Sequence, residues 1–172
     1  MWARRPGGMI PRMGPTVYVE TTIPSYLTAW PSRDLVQAGE QQVTRDWWAQ
    51  RSGYELRVSS LVLLECEAGD PDAAALRLAA LDGVPVLALS PEAEALAGVL
   101  LREVPLPPRA ATDALHIAVA AVNGVAYLLT WNCTHIANAA LRPQIEAVCR
   151  RSGYEPPVIC TPKELLGGEG GP

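Results

Sequence analysis

Leu56-Arg57-Val58-Ser59-Ser60-Leu61-Val62-Leu63-Leu64-Glu65 reads as a strand handing over directly to a helix. Leu56 to Ser59 is a short strand-prone run, and Ser60 offers an N-cap oxygen for a helix through about Ala68. The same handover recurs on either side. Toward the N-terminus, Thr16-Val17-Tyr18-Val19 is a β-rich run ending at Glu20, followed by a Thr/Pro/Ser loop over Thr21 to Ser25. Ser32 then caps a helical stretch to about Arg51, closed by Gly53. Toward the C-terminus, Gly69-Asp70-Pro71 restarts the chain into a helix with Ala74, Leu78 and Leu81 on one stripe. Val84 to Leu89 predicts a third strand, and Ser90-Pro91-Glu92 opens a helix with cap, proline and acid in order. Pro105 to Pro108 separates it from a helix over Ala111 to about Val122. Tyr127 to Thr130 and Val158 to Thr161 are the fourth and fifth strands. Strands alternating with helices, each strand an apolar run without two-residue periodicity, indicate an α/β domain with a parallel sheet covered on both faces.

The chain has 172 residues, the length of one domain, and at 49% hydrophobic and 19% charged its composition is not that of a disordered segment. A net charge of −4 argues against a large basic nucleic-acid surface. It leaves a nuclease open, because metal ions can supply the positive charge a phosphate needs. Cys66, Cys133, Cys149 and Cys160 form no C-x-x-C pair, so they read as free thiols in a reducing cytoplasm rather than a zinc ribbon or a disulfide framework. Residues 1–14, with Arg4, Arg5 and Arg12 among Pro and Gly, lack the apolar stretch of a signal peptide. They read as a disordered leader, with Met9 and Met13 as alternative starts, ahead of a domain over 15–166 and a flexible tail over 167–172. No membrane span is expected, since the most apolar segment is interrupted by His116 and Asn123. Arg51-Ser52-Gly53-Tyr54-Glu55 recurs as Arg151-Ser152-Gly153-Tyr154-Glu155, which reads as two helix ends sharing a left-handed glycine cap.

Ligands of open parallel sheets bind outside the carboxyl ends of the strands. Four polar residues fall there: Glu20 after the first strand, Glu65 in the helix after the second, Asp113 at the start of the helix Asp113 to Val122, and Asn132 after the fourth. Each has an ordinary reading. Glu20 can be a strand-end acid, Asp113 a helix cap, Asn132 an Asx-turn, and Glu65 the partner of Arg57 or Arg109. An acid set among Leu and Val is nevertheless expensive unless paired or metal-bound. Three acids and an amide at one edge are better explained together by a hard divalent cation.

Val17-Tyr18-Val19-Glu20-Thr21-Thr22, Val58 to Glu65, Asp113-Ala114-Leu115-His116-Ile117-Ala118 and Leu128-Leu129-Thr130-Trp131-Asn132 resemble, in order, the motifs of the PIN domain. The resemblance is to the VapC toxins of toxin–antitoxin pairs and covers roughly Thr16 to Leu166. It implies a three-layer α/β/α fold, a ribonuclease dependent on Mg2+ or Mn2+, an RNA substrate, frequent homodimers and a cognate antitoxin. Two positions depart from the family pattern: the first acid is Glu20 instead of Asp, and the fourth position is Asn132 where Asp is usual. They motivate an alternative, a degenerate PIN domain that binds RNA or a protein partner without cleaving.

On this reading Glu20, Glu65 and Asp113 hold the metal, and Asn132 orients a water or the substrate. Thr21 and Thr130 are hydroxyls that support the acids, and Arg109 is a phosphate contact. His116, one turn after Asp113, is expected as a satisfied core histidine beside the acids. Cys133 and His135 are too few for a soft-metal site. Trp47 and Trp48 read as core or as the interface of a homodimer.

Overall fold

The computed structural model describes residues 14–166. Most of the expected leader and all of the expected tail, residues 1–13 and 167–172, lie outside the described residues. Five strands form one parallel sheet in the order β3-β2-β1-β4-β5: β1 (Thr16–Val19), β2 (Glu55–Ser59), β3 (Val86–Leu87), β4 (Tyr127–Leu129) and β5 (Val158–Cys160). β1 is central, pairing Val17 with Leu56 of β2 on one side and Tyr18 with Leu128 of β4 on the other. Val17, Tyr18 and Val19 are wholly buried, as expected of a strand covered on both faces.

The helices are α1 (Thr22–Thr28), α2 (Leu35–Ala49), α3 (Ser60–Cys66), α4 (Pro71–Ala80), α5 (Pro91–Glu103), α6 (Ala111–Val122), α7 (Arg142–Arg151) and α8 (Pro162–Leu166). Their main mutual contacts fall into two sets, α5 with α6 and α7, and α1 with α2 and α4, extended by α8 on α2 and α3 on α4. This is the α/β/α layering that two covered sheet faces require. The segment Ile117 to Ala121 of α6 is buried all round, which its alanines permit by letting neighbouring elements approach closely.

Several local expectations shift. Thr21 to Ser25 is not a loop but leads into α1, because Ile23 and Pro24 bury their side chains. The caps fall one or two residues away from the serines chosen from sequence. Asp34, not Ser32, accepts from Gln37 N, while Ser32 Oγ is spent on Asp34 N and Gln37. Ser59, not Ser60, accepts from Val62 N. The third strand contracts from Val84–Leu89 to two residues at the sheet edge, where only one neighbour pairs with it. Gly153, at φ +89°, closes α7 as expected. Gly53 is not left-handed: it ends a one-turn 3-10 helix, Arg51–Gly53, and its carbonyl lies where a Cβ on Gly14 would be. Gly14 is thus packed against the domain, not part of a loose leader.

Trp47 is 1% exposed and belongs to the core, and Trp48 carries the Arg51 guanidinium 4.5 Å over its ring. Trp47 therefore has no part in a dimer surface. No described helix is long and apolar enough to cross a membrane. The cysteines are free. Burial pushes the thiols of Cys66 and Cys149 up to about 11 and that of Cys160 to about 12; partial burial raises Cys133 as well, but it alone of the four is exposed to reagent. Thiolate, not thiol, is the nucleophile. Iodoacetamide at mildly alkaline pH is therefore expected to alkylate Cys133 alone in the native protein and all four cysteines after urea. Peptide mass spectrometry checks it, and early labelling of Cys160 would contradict the burial.

Candidate active site

The strand order reverses at β1, from which the chain builds outward first through β2 and β3 and later through β4 and β5. The crevice beyond the carboxyl ends of β1 and β4 is therefore the expected ligand position. Glu20 stands there, 4% exposed, with its backbone N–H on Leu129 O. One carboxylate oxygen, Oε2, accepts three hydrogen bonds: from Thr22 N at 3.1 Å, Thr22 Oγ1 at 2.6 Å and Thr130 Oγ1 at 2.7 Å. Oε1 receives none among the described residues.

Glu65 follows the same pattern. The Ser59 cap launches α3 from the end of β2 and places Glu65 over the same edge. Its Oε2 accepts from Thr21 Oγ1 and from His116 Nε2, the latter at 2.8 Å, and its Oε1 is again open among the described bonds. Burial alone would raise this carboxyl, but the bonds from His116 and Thr21 outweigh it and hold it below its usual value. The buried partner that the acid needed is thus His116; Arg57 pairs instead with Glu55 at 2.9 Å.

His116 is 1% exposed and continues the network inward. Its Nδ1 lies 2.8 Å from Tyr18 OH, which lies 2.7 Å from Ser59 Oγ. Because Glu65 is ionised and can only accept, Nε2 must carry a proton. In the neutral ring Nδ1 then accepts from Tyr18, whose own oxygen accepts from Ser59. Burial raises the Tyr18 phenol well above its ordinary value, so it stays a donor. His116 is both the satisfied core histidine anticipated and the group that orients Glu65.

Ligand atoms of Glu20, Glu65 and His116 lie within 4.8 Å of one another. Two carboxylates pinned through one oxygen, each with the other open, fit a divalent cation, and such supporting hydrogen bonds are the usual outer shell of ligating carboxylates. Asp113 is not in this group. It sits in the first turn of α6, two residues after the helix begins, and both its oxygens are engaged: Oδ1 by Asn132 Nδ2 at 2.9 Å and Oδ2 by His135 Nδ1 at 2.7 Å. The two halves are joined by Thr130, whose Oγ1 donates to Glu20 and accepts from Asn132 N at 2.9 Å.

Asn132 Oδ1 also accepts from His135 N at 3.0 Å, the Asx-turn of its ordinary reading, while its amide serves Asp113. His135 is the residue sequence reasoning passed over. Its only signal was the Asn132-Cys133-Thr134-His135 spacing, which an Asx-turn folds back on itself. Arg109 stands exposed in a one-turn helix, Pro108–Ala110, without a hydrogen bond or ion pair among the described residues. Cys133 is exposed and joins no metal-ligating cluster among the described residues.

No protein-family model matches the chain, and no curated protein matches it. Among solved structures, VapC20 of Mycobacterium tuberculosis, a toxin that cleaves the sarcin-ricin loop, has a TM-score of 0.56 at 19% identity, over 72% of this chain and 95% of its own. VapBC2 from Rickettsia felis, bound to a DNA fragment from its promoter, gives 0.53 at 13% identity, over 85% and 98%. The chain thus has the PIN-like α/β/α fold of the VapC toxins.

Proposed function

We propose that this protein is a metal-dependent endoribonuclease of the PIN/VapC type, the toxin of a type II toxin–antitoxin pair, hydrolysing RNA phosphodiester bonds. The observation that carries the reading is the pair of carboxylates, Glu20 and Glu65, each anchored through Oε2 and open at Oε1 in the crevice between β1 and β4. These two would hold Mg2+ or Mn2+. When bound, such an ion neutralises charge on a phosphate and makes water a better nucleophile near neutral pH. Thr21, Thr22 and Thr130 keep the carboxylates from turning away, and His116 fixes Glu65 from behind. Asp113, steadied by His135 and Asn132, adds a third negative group beside the crevice, where it would complete the metal's surroundings or align the attacking water. Arg109, exposed before α6, is a further contact for the RNA backbone.

A second reading has its own support. With both oxygens of Asp113 engaged inside the protein, the site suits a domain that binds RNA or a protein partner without cleaving it. Metal titration of single-stranded RNA cleavage separates the two. The nuclease reading expects cleavage that rises with Mg2+ or Mn2+ and stops in EDTA, and RNA binding with no cleavage at any metal concentration favours the second. For partners, Trp30, 92% exposed, and Leu76 line a cleft of about 270 Å³ between α1 and α4. An antitoxin, or a second copy in a homodimer, would cover it.

A further inference from the structure

A cavity of about 360 Å³ opens between α2 and α8, lined by Leu35, Val36, Glu40, Val43, Trp131 and Lys163. Its wall is built into the active site. Trp131 stands between Thr130, which donates to Glu20, and Asn132, which donates to Asp113. Its backbone N–H donates at 2.8 Å to Thr22 Oγ1, the hydroxyl that itself donates to Glu20 Oε2. The indole is fixed as well: Nε1–H donates to Thr44 Oγ1 at 2.7 Å, and the ring lies nearly parallel to Tyr26, 16° apart with centroids at 6.1 Å.

The lining has an uneven chemistry. Trp131 and the aliphatic side chains make an apolar seat, with Leu35 and Val36 89% and 71% exposed. The charged pair is Glu40, whose carboxyl burial and the nearby Asp34 push up, and Lys163, the sole lysine of the chain. An apolar peptide side chain would fill the seat and leave both charges idle. A nucleotide uses all three parts, because it joins a flat ring to an anionic phosphate and an edge of N–H donors.

Resting on the nuclease or RNA-binding reading above, we propose that this cavity seats one nucleobase of the bound RNA strand against Trp131, with Lys163 on the neighbouring phosphate and Glu40 accepting from the base edge. Trp131, the wall of the seat, is linked to Glu20 through the Thr22 hydroxyl, so the seat would set which nucleotide is presented near the reacting phosphate. Guanine, whose N1–H and N2–H can donate together to one carboxylate, is preferred over uracil, which offers the single donor N3–H.

The test is fluorescence anisotropy of labelled, short single-stranded oligoribonucleotides that differ at one base, measured in EDTA against the full chain. Trp131→Ala is expected to weaken binding roughly 10–100-fold, with Trp131→Phe recovering most of it. Lys163→Gln should lower the slope of log affinity against log salt by about one charge's worth. Glu40→Gln should reduce the discrimination against uracil by roughly tenfold. If Trp131→Ala does not fold, Lys163→Gln and Val36→Asp, both at exposed positions, carry the test. Unchanged affinity and salt slope in Lys163→Gln and Val36→Asp overturn the proposal. RNA cleavage without dependence on these residues would sink the base seat and leave the nuclease standing; seat-dependent binding without cleavage would do the reverse.

Discussion

Replacing Glu65 with glutamine lowers metal-dependent RNA cleavage by at least about 100-fold while the protein stays folded. Losing a hydrogen-bonding group behind a metal ligand typically costs ~10–100-fold, so losing a ligand carboxylate should cost no less. The amide of Glu65→Gln keeps an oxygen that can accept from His116 or Thr21, so the network behind it survives. Glu65→Ala differs in stability. It relieves repulsion between Glu65 and the neighbouring Glu20, but leaves the Nε2–H of His116, 1% exposed, without an acceptor. An unsatisfied buried donor costs about 1–3 kcal/mol, so Glu65→Ala should melt below Glu65→Gln. Asp113→Ala should also abolish cleavage, with less effect on stability, because the partners it releases are Asn132 and His135, neither fully buried. Urea melts in EDTA alongside metal-titrated cleavage measure both. A Glu65→Gln enzyme that cleaves at the wild-type rate would remove Glu65 from the site.

The largest stability change is expected at His116. His116→Ala empties a buried site and strips partners from Tyr18 and Glu65 at once, a loss of roughly 2–5 kcal/mol. Tyr18→Phe removes only the middle hydroxyl of the Ser59–Tyr18–His116 chain and should cost about 1–3 kcal/mol. The same variants report on metal binding. Since Nε2 carries the proton that Glu65 accepts, His116 positions the carboxylate and does not ligate the ion. His116→Gln should therefore weaken Mg2+ and Mn2+ alike, by roughly 10–100-fold, in calorimetric titrations. A loss confined to Mn2+ would mean that the imidazole is itself a ligand, because nitrogen donors favour the later transition metals over Mg2+.

The strands and most helices are legible in the sequence because local chemistry decides them. Apolar runs such as Thr16–Val19 and Tyr127–Leu129 have no exposed face to alternate with, and Ser90-Pro91 starts a helix through its own cap and fixed φ. The edge on which Glu20, Glu65, Asp113 and Asn132 lie follows from that alternation, since a parallel sheet brings all its strand ends to one side. What local chemistry could not decide is which polar group meets which. Thr21 to Ser25 reads as a loop until the core takes up Ile23 and Pro24 and the threonine hydroxyls find Glu65 and Glu20. The partner of Glu65 is a histidine 51 residues away, that histidine is held by a tyrosine 98 residues away, and Asp113 closes onto His135 across 22. Such pairings depend on side-chain directions to within a fraction of an ångström. Only the packed sheet and helices set those directions, which is why tertiary structure alone separated the open carboxylates of Glu20 and Glu65 from the engaged one of Asp113.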